Sequence, residues 1–352
     1  MQLVFGLILT LLATPALIWV AHHYGFLDHP DERKHHQGAT PLVGGLAMSF
    51  AIAVCAVWQL AGDDVFWGLF VATSIVVVIG FLDDWKGLPV VFRFVGQGTA
   101  ALIVAVFAGV QLTQFGDLFG FGLVALGTLS IPLTVFATVG MANALNLSDG
   151  MDGLAGGLAL IATAFIAAAA YLSGMEVELD ALLILGGALI GFLFFNMRLP
   201  WQERAKVFMG DSGSLMLGFL LGLSAITVTQ GEGRSLSPAA ALWFFAIPLW
   251  DTVSLMLRRM LKGKSPFHPG RDHLHHILLR VGYNDSQVVR FILLTALAFG
   301  LVGFLGWRWS VPDAVLFYGF LAMFALYFAG VRHAWKLMRL IVPLHRHNQS
   351  HA

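Results

Sequence analysis

Charge is the scarcest thing in this chain. Of 352 residues, 20 are Lys or Arg and 20 are Asp or Glu, 11% in all, against about 25% in an ordinary soluble domain. That shortage excludes a soluble enzyme. The 58% hydrophobic content excludes a disordered chain or a fibrous repeat. The charges cancel to zero, so no basic excess points to nucleic acid. Cysteine is almost missing. Cys55 stands alone in an apolar run, so no disulfide within the chain can form, and the thiol reads as packing. There is no low-complexity linker, no convincing internal repeat and no segment that fits a soluble domain. What is abundant is apolar side chain, with a mean hydropathy of +0.80, and the protein therefore uses lipid as its solvent. Histidine is the exception among polar residues, with thirteen.

A membrane helix needs ~20 mostly apolar residues to cross ~30 Å of hydrocarbon. Eleven runs meet that need, at roughly 2–21, 43–60, 65–82, 94–110, 121–141, 154–172, 181–195, 214–229, 239–257, 289–307 and 313–331. The expected fold is all-α: one polytopic membrane domain spanning 1–352, with a basic and His-rich tail at 332–352. The first run has no Lys or Arg before it and no small-residue cleavage site, so it reads as an uncleaved anchor. Eighteen of the twenty Lys and Arg fall in loops on one face, and only Arg234 and Arg308 on the other. The positive-inside rule then places the N-terminus in the periplasm and the C-terminus in the cytoplasm. All thirteen His lie on the same inner side. The pairs Gly187/Gly191 and Gly218/Gly222 read as helix contacts.

Five polar clusters lie on that inner face. Asp28 to Gly38 suits a solvated interfacial loop, and Gly44-Gly45 just after it suggests a ligand approaching backbone. Asp83-Asp84 closes the third span. Adjacent carboxylates repel unless a cation or proton relieves them, and helix neighbours do not share a face, so separate roles are expected. Asn143 to Gly157 carries Asn143, Asn146, Asp149 and Asp152. It suits helix capping or hydrogen bonding to a nucleobase or sugar. In Phe208 to Ser214, Asp211 opens a span, as a cap or as a Mg²⁺ ligand. From the residues alone Phe208 packs in lipid. Lys262 to His276 contains Arg271, His273, His275 and His276. Without cysteine it suits phosphate better than zinc, and it equally suits a basic loop on anionic lipid. His273 and His276 should share one helix face. Asp251 alone lies inside a span, as a functional group or a partner across helices.

In this order and on this face, the clusters resemble the polyprenyl-phosphate N-acetylhexosamine-1-phosphate transferases, the superfamily that includes the phospho-MurNAc-pentapeptide translocase. The likeness covers roughly residues 25–290. Pro41 to Gly45, Ser265-Pro266-Phe267, His273-Leu274-His275-His276 and the eleven spans are most similar to one branch. That branch transfers GlcNAc-1-phosphate to undecaprenyl phosphate at the start of O-antigen and enterobacterial common antigen lipids. The teichoic-acid initiating enzymes share much of the pattern.

The resemblance implies undecaprenyl phosphate and a UDP-N-acetylhexosamine as substrates, Mg²⁺ with Mn²⁺ able to substitute, a bacterial inner-membrane location and a homodimer as the oligomer to look for. It implies that Asp83 keeps the lipid phosphate deprotonated, that Asp84 supports it or the metal, and that Asp211 binds the metal. Asn143, Asn146, Asp149 and Asp152 would contact the nucleotide sugar, with Asn196 in the same set. Phe208 would stack on uracil. His273, His275, His276 and Arg271 would bind phosphate. The translocase's nucleotide-binding Lys has no partner in register, and Lys34 is the nearest substitute. The rival from another class is a transporter, whose marks would be broken helices and polar groups at mid-membrane depth.

Overall fold

The computed structural model describes residues 1–28, 38–60, 64–231, 236–266 and 272–349. Among them are thirteen α-helices and one two-residue antiparallel ladder, so the all-α expectation holds. The helices are α1 (Gln2–Tyr24), α2 (Gly44–Leu60), α3 (Asp64–Lys86), α4 (Val90–Phe107), α5 (Ser130–Leu147), α6 (Leu154–Leu172) and α7 (Glu176–Asn196). There follow α8 (Gly210–Thr229), α9 (Pro238–Phe244), α10 (Ala246–Met260), α11 (Leu274–Val281), α12 (Asp285–Arg308) and α13 (Asp313–Gln349). Nine described helices are long and apolar enough to cross a membrane. The expected eleven are reached only by adding the bent pair α9/α10 and the shorter apolar stretch Gly44–Trp58.

One difference has a physical cause. The expected ninth span is broken, because α9 and α10 meet at 83°. Pro248 explains the break: its ring would collide with the carbonyl four residues back, at Phe244, so the helix restarts after Phe245. A broken helix was the expected mark of a transporter. Here its one carboxylate, Asp251, is taken up by neighbouring side chains. The helical backbone of α13 continues unbroken through the start of the expected tail to Gln349.

The bundle is built around α8, the most buried of the long apolar helices. Close approach here depends on glycine. A Cβ at Gly45 would collide with the backbone of Gly213, and one at Gly80 with Ser212 and Asp211. Gly44 and Gly45 also donate their N–H groups to the carbonyls of Phe208 and Met209, each at 2.9 Å. Gly44-Gly45 therefore lets α2 and α3 close on the start of α8. That corrects the expectation of a ligand against that backbone. The small-residue pairs do what the sequence suggested: Gly187 and Gly191 abut α1, and Gly218 and Gly222 abut α5. Cys55 is buried. The result is one end of the bundle where the end of α3, the end of α5 and the start of α8 meet.

Candidate active site

Asp83 and Asp84 end α3, and neighbouring positions on a helix point about 100° apart. They do different work. The first N–H groups of a helix lack intrahelical partners, and Met209 gives α8 no side-chain cap. Asp84 supplies one from across the bundle, accepting from the N–H of Asp211 at 2.8 Å and of Ser212 at 3.1 Å. Asp83 turns the other way. It accepts from the Leu88 N–H at 2.7 Å and from Arg93 Nη1 at 2.5 Å. The same Nη1 lies 3.7 Å from Asp211 Oδ2. The carboxyls of Asp83 and Asp211 are within hydrogen-bonding reach of each other. Such a pair needs a shared proton or a cation, and Arg93 provides one positive charge.

Asn146, on the last turn of α5, donates to Asp211 Oδ1 at 2.7 Å and to Ser214 Oγ at 2.9 Å. It thus fixes the orientation of the Asp211 carboxyl. Asn143, one turn earlier, donates to Gln97 Oε1 at 2.6 Å and to the Val139 carbonyl at 2.8 Å. Its NH₂ group is engaged with α4 and with its own helix.

The loop between α5 and α6 carries the other two Asp residues. Burial, with the charges of Asp84 and Asp152 beside it, pushes the Asp149 carboxyl up to about 7. Asp152 accepts from Arg198 Nε at 2.8 Å, and Arg198 Nη1 reaches Asp285 at 2.6 Å. That bridge ties the loops before α6 and after α7 to the start of α12. Asn196 is buried and spent on backbone, accepting from the Gly153 N–H at 2.7 Å and donating to the Val207 carbonyl at 2.9 Å. It shapes the loop. Phe208 is half-buried at the entrance to α8, with its backbone tied to Pro41 and Gly44.

The His cluster folds differently from the one-face expectation. His273 is the extended residue before α11, so it does not share a helical face with His276. Its Nδ1 lies 2.7 Å from Asp251 Oδ2. Asp251 also accepts from the Leu274 N–H at 3.0 Å and from the Tyr327 hydroxyl at 2.8 Å. The carboxylate inside α10 is therefore an anchor joining α10, the start of α11 and α13. His273 stacks on His275, their rings 5.6 Å apart and nearly parallel. Burial, with the neighbouring His276 and His273, drives His275 down to about 3, so it is a neutral imidazole. It packs against Gly150, where a Cβ would lie 2.5 Å from Nε2. The imidazolium expected of the cluster does not extend to His275.

Lys34 and Arg271 lie outside the described residues. Sequence reasoning passed over Arg93, Gln97, Arg198 and Tyr327. Arg93 had a readable signal, a cation between Phe92 and Phe94, but a span begun at residue 94 put it in solvent. The helix begins at Val90, which puts Arg93 on its first turn.

The family model for glycosyl transferase family 4 matches residues 66–229. Over 330 residues the chain is 35% identical to the undecaprenyl-phosphate alpha-N-acetylglucosaminyl 1-phosphate transferase of Escherichia coli O157:H7, covering 93% of this chain and 89% of that protein. The chain belongs to glycosyl transferase family 4. The proteins of the same description from Yersinia pestis and Haemophilus influenzae are 35% and 34% identical, over 92% and 97% of this chain and 88% and 95% of theirs. The family segment runs through α3 to α8. It contains Asp83, Asp84, Asn143, Asn146, Asp149, Asp152, Asn196, Phe208 and Asp211. The His cluster lies beyond it.

Proposed function

We propose that this protein transfers GlcNAc-1-phosphate from UDP-GlcNAc to undecaprenyl phosphate, giving undecaprenyl-pyrophosphoryl-GlcNAc and UMP. This is the first membrane step of O-antigen or a related envelope polysaccharide. The observation that carries it is the convergence of Asp83, Arg93, Asn146 and Asp211 where α3, α4, α5 and α8 meet. It is supported by the chain's similarity along its length to transferases of this description. One substrate is a water-soluble dianion and the other a phosphate on a lipid tail, so they meet only at a membrane surface. The crowding of Lys, Arg and His on one face supports a multi-pass protein of the bacterial inner membrane with this site toward the cytoplasm.

Mg²⁺ fits these residues. It takes one or two carboxylates and completes its shell with water and substrate phosphate oxygens. Among the described residues no three His, Cys, Asp or Glu groups form a ready-made cage, and none is needed. Asp211, with Asp83 beside it, would hold the ion, and Mn²⁺ could replace it. When bound it would neutralise diphosphate charge and stabilise departing UMP.

The chain's own groups would do the rest. An oxygen of the lipid phosphate attacks the sugar-bearing phosphorus. The bond from that phosphorus to the bridging oxygen breaks, and UMP leaves with the electron pair. Asp83 accepts a proton from a lipid phosphate that arrives singly ionised. Arg93, between Asp83 and Asp211, holds phosphate in line, and alignment with charge neutralisation supplies most of such catalysis. Phe208 stacks on uracil, while Asn143, Asn146, Asp149 and Asp152 line the nucleotide-sugar side. Arg271 and His276 hold diphosphate oxygens, and Lys34 the nucleotide. The test is the purified protein in detergent with undecaprenyl phosphate and a panel of UDP-sugars, measuring UMP. Release that needs the lipid and is fastest with UDP-GlcNAc supports this function. A faster rate with another UDP-N-acetylhexosamine reassigns the sugar, and no release with any sugar overturns it.

A further inference from the structure

A cavity of about 210 Å³ lies between the end of α10, α11 and the middle of α13, and none of Asp83, Asp84 and Asp211 lines it. Four cations line it: Arg258, Lys262, Arg280 and Arg332. Among the described residues Asp272 is the one acidic residue in the lining, so their charges sum to +3. Part of the wall is held in place. Arg258 Nη2 donates to the Asp272 carbonyl at 2.6 Å, and Arg280 Nη1 lies 3.9 Å from the Asp272 carboxylate. The remaining lining is apolar, from Leu261, Ile277 and Val331. Leu261 and Met260 beside it are 68% and 58% exposed, as lipid-facing residues would be. Val331 and Arg332 fall at the end of the apolar stretch Asp313–His333, which sets the cavity at headgroup depth.

Cations over an apolar floor at the edge of a membrane match an anionic phosphate that carries a hydrocarbon tail. A free phosphate would use the cations and waste the floor. None of the lining residues bonds to Asp83, Asp84 or Asp211. We propose that this cavity is a binding site for the phosphate headgroup of an anionic bilayer phospholipid, separate from the transfer site. Asp272 is in its wall and His273 follows directly, so a seated headgroup would brace the segment that Asp251 anchors.

The experiment is native mass spectrometry of the full chain without substrates, so its outcome does not depend on the transferase function. Phosphatidylglycerol, phosphatidylcholine, glycerol 3-phosphate and inorganic phosphate are titrated separately. Wild type should retain phosphatidylglycerol over phosphatidylcholine. The double variant Lys262→Gln/Arg332→Gln should bind phosphatidylglycerol about thirtyfold more weakly, equivalent to ~2 kcal/mol at ~1.4 kcal/mol per decade for two cations near a membrane surface. The charge-preserving variant Lys262→Arg/Arg332→Lys should bind like wild type and serves where the first fails to fold. Equal retention of the two lipids overturns the proposal, as does unchanged binding in the double variant. Retention of inorganic phosphate or glycerol 3-phosphate as strongly as the lipid overturns the lipid assignment. In a separate competition arm with undecaprenyl phosphate added, displacement of phosphatidylglycerol would make this the acceptor's own site and also overturn the proposal.

Discussion

Replacing Asp84 with Ala removes both acceptors that cap α8. The N–H groups of Asp211 and Ser212, now at 2.8 and 3.1 Å from its oxygens, would be left in a packed glycine-lined junction. A hydrogen bond to a charged group contributes ~1.5–3 kcal/mol, and a buried donor left unpaired costs ~1–3 kcal/mol. Both donors share one carboxylate, so the expected loss is ~3 kcal/mol rather than the sum, above the ~0.5–2 kcal/mol of an ordinary cap. Asp84→Asn should recover part of this, since it keeps one oxygen but sets an NH₂ against a donor. Asp211→Asn is the contrast. It keeps the oxygen that Asn146 bonds and its own N–H still meets Asp84, so stability should stay within ~0.5 kcal/mol of wild type. The assays are unfolding of purified protein in mixed micelles and UMP release. Asp84→Ala should lose stability and activity together, and Asp211→Asn activity alone. An Asp84→Ala protein as stable as wild type, or an Asp211→Asn protein destabilised as much, would refute the division of roles.

Three other outcomes follow from the geometry. Tyr327→Phe deletes the hydroxyl bond to Asp251 at 2.8 Å and should raise hydrogen exchange in α11, whereas unchanged exchange there would show that Asp251 does not anchor it. Between about 4 and about 7 folded Asp149 holds a proton that the unfolded chain has lost, so its contribution to stability declines as pH rises through that window and is level above it. Asp152→Asn removes one of the repelling charges and should move that decline to lower pH, read as the stability difference from a matched Asp149→Asn variant; a move to higher pH contradicts the cause assigned. Gly45→Ala puts a methyl group against the Gly213 backbone, which cannot rotate away, and should cost ~1–3 kcal/mol. Weaker substrate binding at unchanged stability would restore the ligand-approach role.

The helices and their order were legible because lipid imposes a length on apolar runs, and α6 and α8 begin near where those runs predict. The break at Phe245 was also written in the sequence, as Pro248, but within an apolar run of full span length a proline reads as tolerated. The convergence of Asp83 and Asp211 was legible only through family resemblance, since 128 positions separate them and no periodicity connects them. The Asp251 anchor is harder still. Its partners His273 and Tyr327 are 22 and 76 residues away, and only the packing of α10 against α13 brings them together. Gly44-Gly45 shows the opposite error. A glycine pair looks the same whether a ligand or another helix comes close, and here it is α8.

The most direct measurement places a radiolabel on the sugar-bearing phosphate of UDP-GlcNAc and follows it after incubation with undecaprenyl phosphate. Transfer at phosphorus, at the site formed by Asp83, Arg93 and Asp211, sends the label into the lipid phase and leaves unlabelled UMP in water. Asp211→Asn should stop the transfer. Label remaining in water as UDP, with sugar alone moved to lipid, would contradict phosphoryl transfer at this site.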